Sequence, residues 1–225
     1  MMHRTKPEFK YFADTMHILS CECELIGIEE AVNLIKTRQS PATPKCAFTF
    51  DDGLEECYDF AAPVLDDYHI NAAFFINPHF VEGDKEYIKH FTEDVIKSPG
   101  KKPMRWDKIR QLHNSGHVIG AHTLDHILTA SDNIEELRHQ IEDCRKIIEA
   151  NVGNNCNYFA WPFGKLEHTN EIAVRIACET YDYVFSQSDY RHYYSFEGKV
   201  INRRHFEPFW PVSHINYFLS KSVSY

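Results

Sequence analysis

The chain has 225 residues, is 43% hydrophobic and 25% charged, and carries a formal net charge of −9. Its length suits one large domain or a small barrel with a full core, and its composition excludes a disordered chain. No long basic run supplies a nucleic-acid footprint, and no stretch nears the ~18–20 apolar residues of a membrane span.

The opening Met-Met-His-Arg-Thr-Lys-Pro has no apolar core of a secretory leader. Phe9, Phe12, Met16 and Leu19 then recur at helical spacing, and Ile28 to Thr37 repeats the pattern through Ala31, Leu34 and Ile35. With the Pro-containing linker before Lys45, residues 1–44 read as a helical lead-in. Lys45-Cys46-Ala47-Phe48-Thr49-Phe50 reads as a buried strand that runs into Asp51-Asp52-Gly53. A helix to about Tyr68 and a strand at 72–76 follow. Residues 78–104, with Gly83, Pro99, Gly100 and Pro103, read as a long irregular excursion. Trp106 to Asn114 is helical, and His117 to His122 is a strand. Asp132-Asn133 caps a helix carrying Ile134, Leu137, Ile141 and Ile148. A strand at 158–161, a helix near 170–179 and strands at 182–187 and 199–206 complete the core, and a C-terminal helix occupies 207–225. Alternating strands and helices predict a parallel sheet that closes toward a barrel, and the whole of 1–225 reads as a single domain.

Two aspartates at a strand exit repel each other unless a cation sits beside them, which directs attention to the histidines. His122-Thr123-Leu124-Asp125-His126 presents two imidazoles on the same strand-exit rim, at a spacing that suits one ion. His113…His117 has the same spacing, but Gly116 breaks any helix between them. Two imidazoles and a carboxylate with open positions suit a hydrolytic metal site, which leaves the second carboxylate available as a base. Seven scattered cysteines without a C-x-x-C pair suggest neither a disulfide framework nor a cysteine-ligated zinc. They are expected to be reduced, in a cytoplasmic protein.

Thr49-Phe50-Asp51-Asp52-Gly53, His122 through His126, and Phe159-Ala160-Trp161-Pro162-Phe163-Gly164 resemble, in order, three motifs of the polysaccharide deacetylase family (NodB homology, carbohydrate esterase family 4). The resemblance covers roughly residues 44–206 and is nearer the poly-N-acetylglucosamine deacetylase branch. It implies an α/β fold, a distorted (β/α) barrel of about seven parallel strands with a NodB-like core at 45–206. It also implies one divalent metal, zinc first and cobalt or nickel as alternatives, held by Asp52, His122 and His126. Asp51 matches the general base, a backbone N–H near Phe163 matches an oxyanion donor, and Trp161, Pro162 and Phe163 match the sugar-pocket wall. Many members open the third motif with arginine where this chain has Ala160. Arg203, in the late strand, is therefore expected to orient Asp51, and His205 to protonate the leaving amine, with His3 as the other candidate acid. The implied activity removes N-acetyl groups from an acetamido sugar or polysaccharide precursor, with peripheral membrane contact compatible. A sugar-binding homologue without turnover and an amidase acting on a non-carbohydrate amide are the alternatives.

Overall fold

The computed structural model describes residues 7–207, 209–221 and 223–225. The expected strand at 45–50 is divided between two sheets. Lys45–Cys46 (β2) pairs in parallel with Glu24–Leu25 (β1) in a small separate sheet, and Thr49–Phe50 (β3) opens the main one. The hydrogen bonds account for the split: the Cys46 carbonyl accepts from Ile26 N–H, whereas the Phe48 carbonyl accepts from Ala73 N–H.

The main sheet continues through Ala73–Ile76 (β4), Val118–Ala121 (β5), Tyr158–Ala160 (β6), Tyr183–Ser186 (β7), Tyr194–Ser195 (β8) and Val200–Asn202 (β9). Its order is β3-β4-β5-β6-β7-β9-β8. This is the expected distorted barrel, a curled and largely parallel sheet with helices on its outer face. One strand departs from the parallel set. β8 runs antiparallel to β9, because the two are joined by a tight turn with positive φ at Phe196, Glu197 and Gly198, and a short hairpin leaves no room for a crossover. Among the described residues no ladder joins β3 to β8, so the barrel stays open between its edges.

Side-chain alternation divides the core into two. Phe50, Phe74, Ile76, Phe159 and Trp161 face outward into the cluster shared with the helices. Ala73, Phe75, Tyr158, Ala160, Phe185 and Ile201 face inward, packed with Ile28 and Val32 of the helix Ile28–Lys36. The excursion after β4 is more ordered than its glycines and prolines suggest. It contains the helices Pro78–Glu82 and Lys85–His90 and a π-helical turn, Phe91–Val95. Asp84 caps the second helix by accepting from Tyr87 N–H, and Phe80 stacks on Phe91 with centroids 4.1 Å apart, both fully buried.

The end of the excursion lies against the turn that follows β3. Met104 N–H donates to Gly53 O and Glu55 N–H to Lys102 O, both at 2.8 Å. Lys101 Nζ meets the two Glu56 oxygens at 2.6 and 2.7 Å in a nearly solvent-free pair. The expected strand at 199–206 is shorter than predicted. It ends at Asn202, after which Arg203 N–H makes one more bond to Ser186 O and the chain leaves the ladder.

Candidate metal centre and active site

The carboxyl ends of β3 and β5 bring the two short motifs together. Asp52, His122 and His126 are all buried, and one donor atom of each lies within 4.8 Å of the others. Asp52 Oδ1 is 3.3 Å from His126 Nε2 and 3.6 Å from His122 Nε2. His122 Nδ1 is 2.7 Å from the Ala160 carbonyl, which can only accept, so Nδ1 carries a proton and Nε2 is the atom turned toward Asp52. Burial pushes the His126 imidazole down to about 4, with Asp52 only partly opposing it, so this ring is neutral near pH 7. Bonds of about 2.0–2.1 Å at tetrahedral angles set ligand atoms roughly 3.3–3.4 Å apart. A carboxylate oxygen 3.3 and 3.6 Å from two imidazole nitrogens, with all three donors within 4.8 Å, can converge on a divalent cation between them.

The backbone is unusual at the same place. Asp52 (φ 72°), Thr123 (φ 62°), His126 (φ 56°) and Phe163 (φ 61°) all lie in the left-handed region. Side chains other than glycine occupy that region only when the surroundings impose it, and such residues gather at functional sites. Gly53, at φ 69°, continues the turn without a side chain in the way. Asn77, fully buried at the end of β4, donates its amide to the carbonyls of both His122 and Thr123.

Asp51, next to this cluster, is clamped from across the open barrel. Arg203 Nη1 donates to Asp51 Oδ1 at 2.8 Å and Nη2 to Oδ2 at 3.0 Å, and Nη1 also donates to Thr49 Oγ at 2.7 Å. The guanidinium lies over the inward-facing Phe75 ring at 4.9 Å. Burial raises the Asp51 carboxyl, but the charges of Arg203 and His122 and the Arg203 hydrogen bonds outweigh it. They hold the group well below the usual carboxylate range, as an anion.

The sequence model of the polysaccharide deacetylase family matches residues 38–180. The chain belongs to the polysaccharide deacetylase family. It is 25% identical over 149 residues to YxkH of Bacillus subtilis (strain 168), covering 66% of this chain and 46% of that protein. It is 28% identical over 123 residues to the peptidoglycan-N-acetylglucosamine deacetylase of Bacillus cereus, covering 53% of this chain and 36% of the relative. The chain thus spans less than half the length of these curated relatives. Its fold is similar to that of IcaB from Ammonifex degensii, with TM-score 0.70, 20% identity, and coverage of 93% of this chain and 87% of that one.

In this polysaccharide deacetylase-family chain the other expected site residues are distributed unevenly. Phe163 is 43% exposed, and its ring meets His126 edge-on with centroids 4.5 Å apart, so it stands at the rim of the centre, whereas Pro162 is buried. Trp161 does not line an open pocket. It is 1% exposed and packs on Phe159, because strand alternation places residues 159 and 161 on the outer, helix-covered face. His205 is drawn away from the cluster. Its Nε2 is 3.3 Å from Glu207 Oε1, its ring faces Trp210 at 5.3 Å, and its side chain is 44% exposed. The early end of β9 releases it from the alternation expected to aim it inward. His3 lies outside the described residues. His117 and His113 have separate partners: His117 Nδ1 accepts from Ala72 N–H, and His113 Nε2 meets Asn154.

Sequence reasoning missed Ala160, Asn77 and Thr49 as contributors. Ala160 and Asn77 act on the histidine-bearing segment, Ala160 through its backbone carbonyl, and neither function leaves a mark in residue type. Thr49 was legible, since it shares a face with Asp51 two residues on.

Proposed function

We propose that this chain is a metal-dependent hydrolase that removes the N-acetyl group of an acetamido sugar in a polysaccharide or its precursor, with zinc as the ion. The observation that carries this reading is the buried Asp52, His122 and His126 cluster beside an Asp51 anion clamped by Arg203. A divalent ion at such a site supplies Lewis acidity and a lowered pKa for water. Asp52, His122 and His126 would hold it, with His122 fixed in the correct tautomer by Ala160 O. Asp51 takes the proton of the attacking water on a carboxylate oxygen, and Arg203 keeps that carboxylate ionised and oriented. The Phe163 N–H would stabilise the oxyanion that develops on the acetyl carbonyl, while its ring walls the sugar side. The leaving amine requires one proton, either returned by Asp51 or delivered by His205, which would have to leave Glu207 to reach it. His205→Ala tests the second route: loss of amide hydrolysis with an activated ester spared assigns the acid to His205, and unchanged amide hydrolysis excludes it and leaves His3 and Asp51 as the groups to test.

Peptidoglycan N-acetylglucosamine, named for the Bacillus cereus relative, is the first substrate class to test. The seven cysteines are all free thiols, which supports a reducing, cytoplasmic setting. No described helix is long and apolar enough to cross a membrane.

Acetate release from N-acetylated sugars and polymers, measured on chelator-stripped protein before and after added zinc or cobalt, tests the proposal. Metal-restored release is the expected result. Sugar binding without release would make the chain a binding homologue, and release only from non-sugar acetamides would make it an amidase. Asp51→Asn should retain stoichiometric metal and lose activity by about 10²–10⁴-fold, the usual contribution of a general base.

A further inference from the structure

Asp125 lies immediately before His126, and the proposed chemistry makes no use of its carboxylate. Oδ1 accepts from Tyr87 O–H at 2.6 Å and from His79 Nδ1–H at 2.7 Å. Oδ2 accepts from Gln140 Nε2–H at 2.6 Å, and Asp125 N–H donates back to Gln140 Oε1 at 3.1 Å. These donors come from separate elements: the helices Pro78–Glu82 and Lys85–His90 of the excursion, and the π-helical turn His139–Asp143. The backbone beside Asp125 is tied to the same residues, since His79 N–H donates to Leu124 O and Leu124 N–H to Gln140 O.

His126 holds a left-handed φ of 56°, a conformation that relaxes unless neighbouring groups enforce it. An anionic acceptor with short, charge-assisted bonds on both oxygens is a strong local anchor. Asp125 itself is not among the clustered candidate ligands. We infer that Asp125 is a positioning residue, whose carboxylate, held by His79, Tyr87 and Gln140, locks the His126 backbone so that Nε2 points at the metal. The inference rests on the metal site proposed above.

The test measures metal binding directly, not turnover. Chelator-stripped protein is titrated with zinc against a chromophoric competitor, and the visible spectrum of the cobalt form reports ligand geometry. Asp125→Ala should weaken zinc by about 10–100-fold, the usual effect of losing a group that orients a ligand, and should alter the cobalt bands. Asp125→Asn should also weaken zinc, because its amide would face the Gln140 amide donor to donor. Adding Gln140→Glu restores a complementary pair, so Asp125→Asn/Gln140→Glu should recover most of the affinity, which a purely bulk-stability role would not produce. Tyr87→Phe removes one hydroxyl and should weaken zinc by roughly threefold, about half of one hydrogen bond's usual worth. If Asp125→Ala does not fold, Asp125→Asn, its Gln140→Glu partner and Tyr87→Phe decide the matter. Wild-type affinity and an unchanged cobalt spectrum in the single variants overturn the inference and leave the proposed function intact. A wild-type chain that takes up no zinc overturns both.

Discussion

Arg203 has two tasks at Asp51: its charge opposes the effect of burial, and its planar fork fixes both carboxylate oxygens. Removing it should raise the Asp51 pKa. The proposed base works only when deprotonated, so the proposed activity should be present above that pKa and be lost as pH falls through it. In Arg203→Ala the acidic limb of the pH profile should therefore move upward, and every pH unit it moves costs about tenfold in ionised base at a fixed acidic pH. Bound metal should be unchanged, and Arg203→Lys should restore the charge but not the two-point grip. An acidic limb that stays in place, with normal metal content, would mean that Arg203 does not control the base. The closeness of Asp51, Asp52, His122 and His126 was legible because each motif is local: a strand, a turn, and side chains that emerge where the strand ends. The place of Trp161 follows from strand period and not from motif composition: the residue next to the inward-facing Ala160 falls on the helix side. His205 was misplaced because the end of β9 is set by pairing with β7 and β8, which one strand's sequence does not record.

At the level of elements, the excursion between β4 and β5 read as irregular because helices of five and six residues are too short to show periodicity. The continuous apolar run at 45–50 gave no sign of two sheets, since an exchange of hydrogen-bond partners changes no residue type. The segment Lys101–Met104 nevertheless acts as a splint along Gly53–Glu56 and so supports the turn that carries Asp52. Its buried ion pair gives a test. Lys101→Met removes the ammonium from this pair while the Glu56 carboxylate stays buried and should cost about 3–5 kcal/mol, whereas Lys101→Met with Glu56→Leu should cost much less. Urea midpoints of the wild type, both single variants and the double variant give the coupling. Additive losses would show that the pair is not a unit. The loop after β6 makes a different demand: Gly164 has φ 73°, and an added Cβ would sit 2.7 Å from Gln187 Cβ. Gly164→Ala should destabilise by roughly 1–3 kcal/mol and displace Phe163 from His126, so stability and activity should fall together. Wild-type stability in that variant would show that the turn relaxes freely.

Across the whole molecule, the two ends of the sheet carry different histidines. At the amino ends of the strands, buried His117 accepts from Ala72 N–H, and burial lowers its pKa against the opposing Asp66 and Glu29. At the carboxyl ends, His126 is lowered to about 4 in the same direction. Because the folded pKa values lie below the unfolded value of about 6.5, the stability these rings contribute is present above that pH and is lost as pH falls through the folded values. The urea midpoint of metal-stripped protein should therefore decline from about pH 6.5 toward 4, and His117→Asn, which retains an acceptor but does not titrate, should flatten part of the slope. An unchanged slope in that variant would remove His117 from the account. The open barrel has one more consequence. Asp51 and Arg203 are 152 residues apart in the chain, and Arg203 follows the last strand. On the ribosome, a nascent chain has Asp51, Asp52, His122 and His126 well before the guanidinium that secures the base. A half-made or nicked protein would thus present its candidate ligands while its proposed base stayed ungripped, so the proposed hydrolysis would await the synthesis and docking of Arg203.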